Sequence, residues 1–364
     1  MTTSMASSTE NFPFVIRGEF TPHIAKSIFG LLDKQTMAKS RQVSKTWRRF
    51  VDDHTRLWRD VTQLQFVKAA GNGRHDICKL IIGQAENKNP ANSWGWTPFH
   101  QAAVQGCIDI CRLIMHNVIG DKNPPDKHGA TPLHWAVKNG HLDICQMIIA
   151  NVDNKNPGDK RGETPLHEAA RKGHLDICQL IIGNIEDKNP PAVFGYTPLH
   201  KAAEYGHLDI CRLIFEHAVD KNPADNRGET PLHWAAYNGQ LDICWLILQN
   251  VEAKNCGNED GTTPLHLAAL KGHSEVCRLI IENVEDKNPA DNFGDTPLHL
   301  AAKKGSLDIC KMILPKVKDK NPVSRVNRKT PLDLARLGGF EDVILLFEEN
   351  AVNCLSNNFD QMTI

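Results

Sequence analysis

The sequence predicts an all-α chain: about nine stacked helix-turn-helix units behind a small three-helix domain. Three recurring peptides predict it. Thr-Pro-Leu-His, or a close variant, starts at Thr97, Thr131, Thr164, Thr197, Thr230, Thr263, Thr296 and Thr330, at gaps of 33 or 34 residues. Lys-Asn-Pro starts at Lys88, Lys122, Lys155, Lys188, Lys221, Lys287 and Lys320, and Lys254-Asn255-Cys256 fills the one gap. Asp-Ile-Cys ends at Cys78, Cys111, Cys145, Cys178, Cys211, Cys244 and Cys310, with Glu275-Val276-Cys277 as a variant. Three markers in one register signify a repeat array.

Each unit supplies its own start and stop signals. Thr caps a helix, and Pro suits the first helical turn. In the unit from Thr197 to His217 the first helix is expected over Pro198 to Tyr205, ended by Gly206. The second carries Leu208, Ile210, Cys211, Ile214 and Phe215 at helical spacing. The following Asp-Lys-Asn-Pro-Ala-Asp-Asn-Arg-Gly reads as a loop, its Asn forming the turn. One such unit cannot bury its apolar face alone, so neighbours must stack on it.

Composition narrows the function. The 364 residues carry 42 Lys and Arg against 43 Asp and Glu, a net charge of −1. That balance argues against a chain held on nucleic acid or membrane mainly by charge. No apolar run approaches the ~18 residues of a membrane span. The residues before Arg17 lack the apolar core of a secretory leader. A cytoplasmic or nuclear, reducing location is expected, and eight of the eleven Cys at one repeat position read as packing residues. No nucleophile-base set, phosphate loop or dinucleotide fingerprint stands outside the period, so no catalytic residue, metal, cofactor or small-molecule substrate is expected.

A period of about 33 residues with Thr-Pro-Leu-His-x-Ala-Ala-x-x-Gly-His-Leu-Asp-Ile resembles the ankyrin repeat. The resemblance implies a gently curved solenoid with loops along one side. It also implies that His100, His134, His167, His200, His233, His266 and His299 bond Thr or backbone groups and tie neighbouring units. The first and last units are atypical, as stack ends need to be: Leu64-Gln65-Phe66-Val67 replaces the tetrapeptide in one, and Asp333 replaces the His in the other.

Positions that vary between units are free of that packing demand. All three Tyr in the chain, Tyr196, Tyr205 and Tyr237, fall on them, as do Trp94 and Trp96. Trp135 and Trp234 follow the motif His. Exposed aromatics anchor interfaces when a partner covers them. The expectation is a target-binding concave face comprising Trp94, Trp96, Trp135, Arg161, Phe194, Tyr196, Tyr205, Arg227, Trp234 and Tyr237.

Residues 12–62 break the period. Ile24, Ile28, Leu31 and Leu32 form one helical stripe, and Val43, Trp47 and Phe50 follow. Thr21-Pro22, Ile24, Ile28-Phe29, Leu31-Leu32-Asp33, Val43-Ser44-Lys45-x-Trp47 and Leu57-Trp58 resemble an F-box, with Thr21 and Ser44 where that family has Leu and Cys. The resemblance implies that Pro22, Ile24, Ile28, Phe29 and Leu32 face a Skp-family adaptor hung on a cullin scaffold. It implies the substrate-recognition subunit of an SCF-type ubiquitin ligase. A plain ankyrin scaffold or inhibitor, with the N-terminal helices as a cap, is the alternative. The expected organisation is a disordered 1–11, an F-box-like 12–62, repeats over 63–350 and a loose tail over 351–364.

Overall fold

The computed structural model describes residues 65–361 apart from residue 86. The expected disordered segment, the F-box-like domain and its five adaptor-facing residues lie outside the described residues. Two compact units divide the chain after Lys122. The first holds α1 (65–71), α2 (His75–Gln84), α3 (Pro98–Gln105) and α4 (Ile108–Asn117).

The second unit continues in helix pairs. These are α5 (Pro132–Lys138) with α6 (Leu142–Ile149), α7 (Pro165–Lys172) with α8 (Leu175–Ile182), and α9 (Pro198–Tyr205) with α10 (Leu208–His217). Then come α11 (Pro231–Asn238) with α12 (Leu241–Asn250), and α13 (Pro264–Lys271) with α14 (Ser274–Asn283). α15 (Pro297–Lys304) pairs with α16 (Leu307–Ile313), and α17 (Pro331–Gly338) with α18 (Glu341–Gln361). Among the described residues there is no strand. From α5 onward each odd-numbered, inner helix packs on its own even-numbered, outer helix and on the inner helix of the next pair.

The start of α9 shows why eight residues suffice for a helix. Its free N-terminal donors are each accounted for. Thr197 N–H donates to His200 Nδ1 at 3.1 Å, and Pro198 has no N–H. Leu199 N–H donates to Asn189 Oδ1 at 2.9 Å, and Thr197 Oγ1 accepts from the His200 backbone. Asn189 is the Asn of Lys-Asn-Pro, so that Asn caps a helix ten residues on. The turn role expected of it belongs to Asp187, whose Oδ1 accepts from Asn189 N–H. The same Asn-to-Leu bond recurs from Asn123, Asn156, Asn222, Asn255 and Asn288.

The Lys of the same tripeptide closes the outer helix before it. Lys188 Nζ donates to Ile182 O at 2.7 Å, and Lys287 Nζ to Ile281 O at 2.6 Å. A cation at carbonyl ends satisfies those acceptors and the helix dipole together.

Side-chain packing follows the predicted pattern. Leu199, Ala202, Ala203, Ile210, Cys211 and Ile214 are at most 1% exposed. Alanine pairs let successive inner helices approach closely, and each buried Leu or Ile contributes roughly 1.5–3 kcal/mol. The eight column cysteines are all buried. Burial pushes the thiols of Cys145, Cys178, Cys244, Cys277 and Cys310 up to about 12, so they act as inert packing groups.

Loops between the pairs form a row of fingers. Lys160 N–H donates to His128 O, Val193 to Arg161 O, Asn226 to Phe194 O, Glu259 to Arg227 O, Asn292 to Asp260 O and Arg325 to Phe293 O, at 2.9–3.0 Å. Gly129 stands in this row at φ +87°, and a Cβ there would meet Lys160 N at 2.7 Å. Glycine is required there both for the left-handed turn and for the close neighbouring finger. In the last finger Arg328 occupies that left-handed conformation, at φ 57°. Helix α18 runs to Gln361, past the boundary that the repeat pattern sets at residue 350 and through much of the expected loose tail. No Gly or Pro interrupts residues 340–361, so no local stop signal ends it.

Candidate functional site

The motif histidines join units rather than forming a reactive centre. His200 Nδ1 takes the Thr197 N–H and lies 2.9 Å from Thr197 Oγ1, while Nε2–H donates to Glu229 O in the next unit at 3.1 Å. Carbonyls of Glu163, Tyr196, Thr262 and Asp295 receive the same bond from His134, His167, His233 and His266. These bonds fix the Nε2–H tautomer. Burial, resisted by the carbonyl contact, holds His167, His200 and His233 down at about 4. A second tie runs from His207 Nε2–H to Arg171 O at 3.2 Å and from His273 to Tyr237 O at 3.1 Å.

The variable side chains range from half-buried to exposed. In the first unit Trp94 is 65% exposed on a finger, and Trp96 stacks on His100 at 6.0 Å between ring centroids. In the second unit the structure brings three predicted residues together. Tyr196 packs edge-on against Trp234 at 5.7 Å, and Trp234 against Tyr237 at 6.4 Å. Tyr196 also meets the His200 ring at 5.8 Å, which anchors the cluster to the framework. Burial, then Asp225 and Glu229, raises the Tyr196 phenol above its ordinary value, so it stays neutral. The enclosed Trp234 Nε1 reaches no acceptor among the described residues.

Other predicted residues stand apart from that cluster. Arg161, Phe194 and Arg227 are exposed on successive fingers, and Tyr205 lies exposed at the end of α9. Trp135 is half-buried on α5, the first inner helix of the second unit. Sequence reasoning missed the lysines that cover the rings. Lys138 Nζ lies 4.7 Å from the Trp135 centroid, Lys201 4.8 Å from Tyr196 and Lys271 4.1 Å from Tyr237. Each contact is a cation–π pair. Trp135 and Lys138 stand three apart on one helix, a signal that was legible; Tyr237 and Lys271 are 34 residues apart and meet only through stacking.

The arrangement is that of a helical repeat protein carrying aromatic and basic side chains on and between its short inner helices. Comparison with family models agrees. Ankyrin repeats (3 copies) matches in overlapping windows from residues 66–159 to residues 284–358, and F-box-like matches residues 22–64. The chain belongs to the ankyrin-repeat family and carries an F-box-like domain ahead of the repeats. A search of curated proteins finds no match. No helix among the described residues is long and apolar enough to cross a membrane.

Proposed function

We propose that this chain is a non-catalytic substrate receptor of an SCF-type ubiquitin ligase in a reducing intracellular compartment. The F-box-like segment holds a Skp-family adaptor and, through it, a cullin scaffold. The ankyrin face holds the protein to be modified. The observation that carries this reading is the order of the two matches: F-box-like over residues 22–64, then repeats from residue 66. Pro22, Ile24, Ile28, Phe29 and Leu32 are the proposed adaptor contacts, since an apolar stripe on so short a domain needs a covering partner. Tyr196, Trp234 and Tyr237 are the proposed centre of the target face on the second unit, which also carries the proposed contacts Trp135, Arg161, Phe194, Tyr205 and Arg227; Trp94 and Trp96 are the proposed target contacts of the first unit.

The mechanism is proximity. Two partners bound to one chain meet at a high effective concentration, so target lysines reach the charged conjugating enzyme without any bond being made by this protein. Co-purification of the folded chain with a Skp-type adaptor from eukaryotic lysate tests the reading. Retention of the adaptor, and its loss in the Ile24→Asp/Ile28→Asp variant, is the expected result. A folded chain that captures no adaptor contradicts it.

A further inference from the structure

The inner helices and outer helices of the second unit carry opposite charge. From α5 to α17 the inner set holds eight Lys and Arg against three Asp and Glu; from α6 to α16 the outer set holds three against eight. The inner carboxylates are already engaged. Glu168 accepts from Arg171 Nε at 2.9 Å, Glu204 lies 3.4 Å from Lys201, and Asp333 accepts from Thr330. Lys138, Lys172, Lys271, Lys303 and Lys304 are exposed, and no ion pair among the described residues engages them. Helix dipoles favour lysine in a last turn. The outer helices α6, α8, α12 and α14 have no basic residue there, so the dipole does not account for the segregation.

The excess has an order along the stack. Helices α5 and α7 are basic, α9 is balanced by its own Lys201–Glu204 pair, α11 carries no charge, and α13 and α15 are basic again. The uncharged middle is where Tyr196, Trp234 and Tyr237 cluster. Their central indole N–H has no acceptor among the described residues. From this we infer that the inner face takes an extended acidic protein segment: carboxylates at both ends and an apolar or aromatic anchor between them. Inner helices spaced by ~8–10 Å put α7 and α15 about 32–40 Å apart. An extended chain covers that with about a dozen residues. A nucleic acid fits less well, because its evenly spaced charge would lie against Glu168, Glu204 and the neutral middle. The inference rests on the receptor reading only for the location of the target face.

The test uses the full chain and fluorescence anisotropy. The probe is a labelled peptide of about a dozen residues with Asp/Glu blocks flanking Leu-Phe. Two companions replace the acids by Gln/Asn, or replace the peptide by single-stranded DNA of similar reach. The acidic peptide is expected to bind about tenfold or more tightly than the neutral one and to weaken as salt rises. Lys271→Glu/Lys303→Glu/Lys304→Glu is expected to abolish that preference, with the Gln triple intermediate and both melting like the parent. Equal binding of the two peptides, or tighter binding of DNA, overturns the inference. Adaptor capture by the same preparations, and cross-linked proteins from cells, separate it from the receptor reading. Captured proteins that survive the Glu triple but not Trp234→Ala/Tyr237→Ala overturn the acidic class and leave the face in place. Captured proteins that survive both overturn the inference and the face together.

Discussion

The ring of His233 satisfies three groups at once: the Thr230 N–H at 3.0 Å, the Thr230 hydroxyl at 3.0 Å and the Thr262 carbonyl at 3.1 Å. His233→Ala leaves buried partners unpaired at about 1–3 kcal/mol each. A loss of roughly 3 kcal/mol or more is expected, read from the urea midpoint. Asn222→Ala removes only the bond to Leu232 N–H and is expected to cost about 1–2 kcal/mol in the same measurement. The histidine role was legible through the resemblance to the ankyrin repeat, which implies it wherever Thr-Pro-Leu-His recurs. The asparagine role was not, because its partner lies ten residues away across a loop and periodicity marks position, not direction. Lys271 was missed for a related reason: its aromatic partner belongs to the preceding unit.

Among the elements, the inner helices were read most closely. Pro198–Tyr205 is the expected span, since Thr-Pro at the start and Gly at the end are local signals. The end of α18 was not legible, because no such signal follows it. The fingers were visible in sequence only as polar loops; their ladder of backbone bonds requires the neighbouring unit. The last finger departs from the others at Arg328, whose left-handed backbone costs an L-residue ~1–2 kcal/mol. Arg328→Gly is therefore expected to raise the stability of the terminal pair by about 1 kcal/mol, less the entropy that glycine adds to the unfolded chain. Hydrogen exchange of Ser324 N–H, which bonds Lys329 O, reports it: slower exchange supports the strain, faster exchange refutes it.

At the scale of the whole molecule, the buried histidines make stability depend on acidity. Their folded value, about 4 for His167, His200 and His233, lies below the ordinary imidazole value of 6.5. The unfolded chain therefore takes up protons first. Stability is complete above the ordinary value and falls as pH drops towards the folded one, by a few kcal/mol for each ring. Denaturant titrations followed by circular dichroism are expected to show the midpoint falling steeply between pH 6.5 and about 4. A flat profile there would contradict the neutral-tautomer network. Removing residues 1–61 is expected to leave the melting of the repeats within a few degrees of the parent while abolishing adaptor capture. Broad loss of helicity in that deletion would favour the capping alternative.

The bolts from one pair to the next, whether imidazole to carbonyl or finger to finger, reach only the immediate neighbour. Excising or duplicating one whole pair at a Thr-Pro boundary would leave every remaining bolt with a partner of the same kind. Slippage of the underlying gene in steps of one pair could then lengthen or shorten the span available to a partner without redesigning the interior. Evolution of reach is in this way uncoupled from evolution of the core.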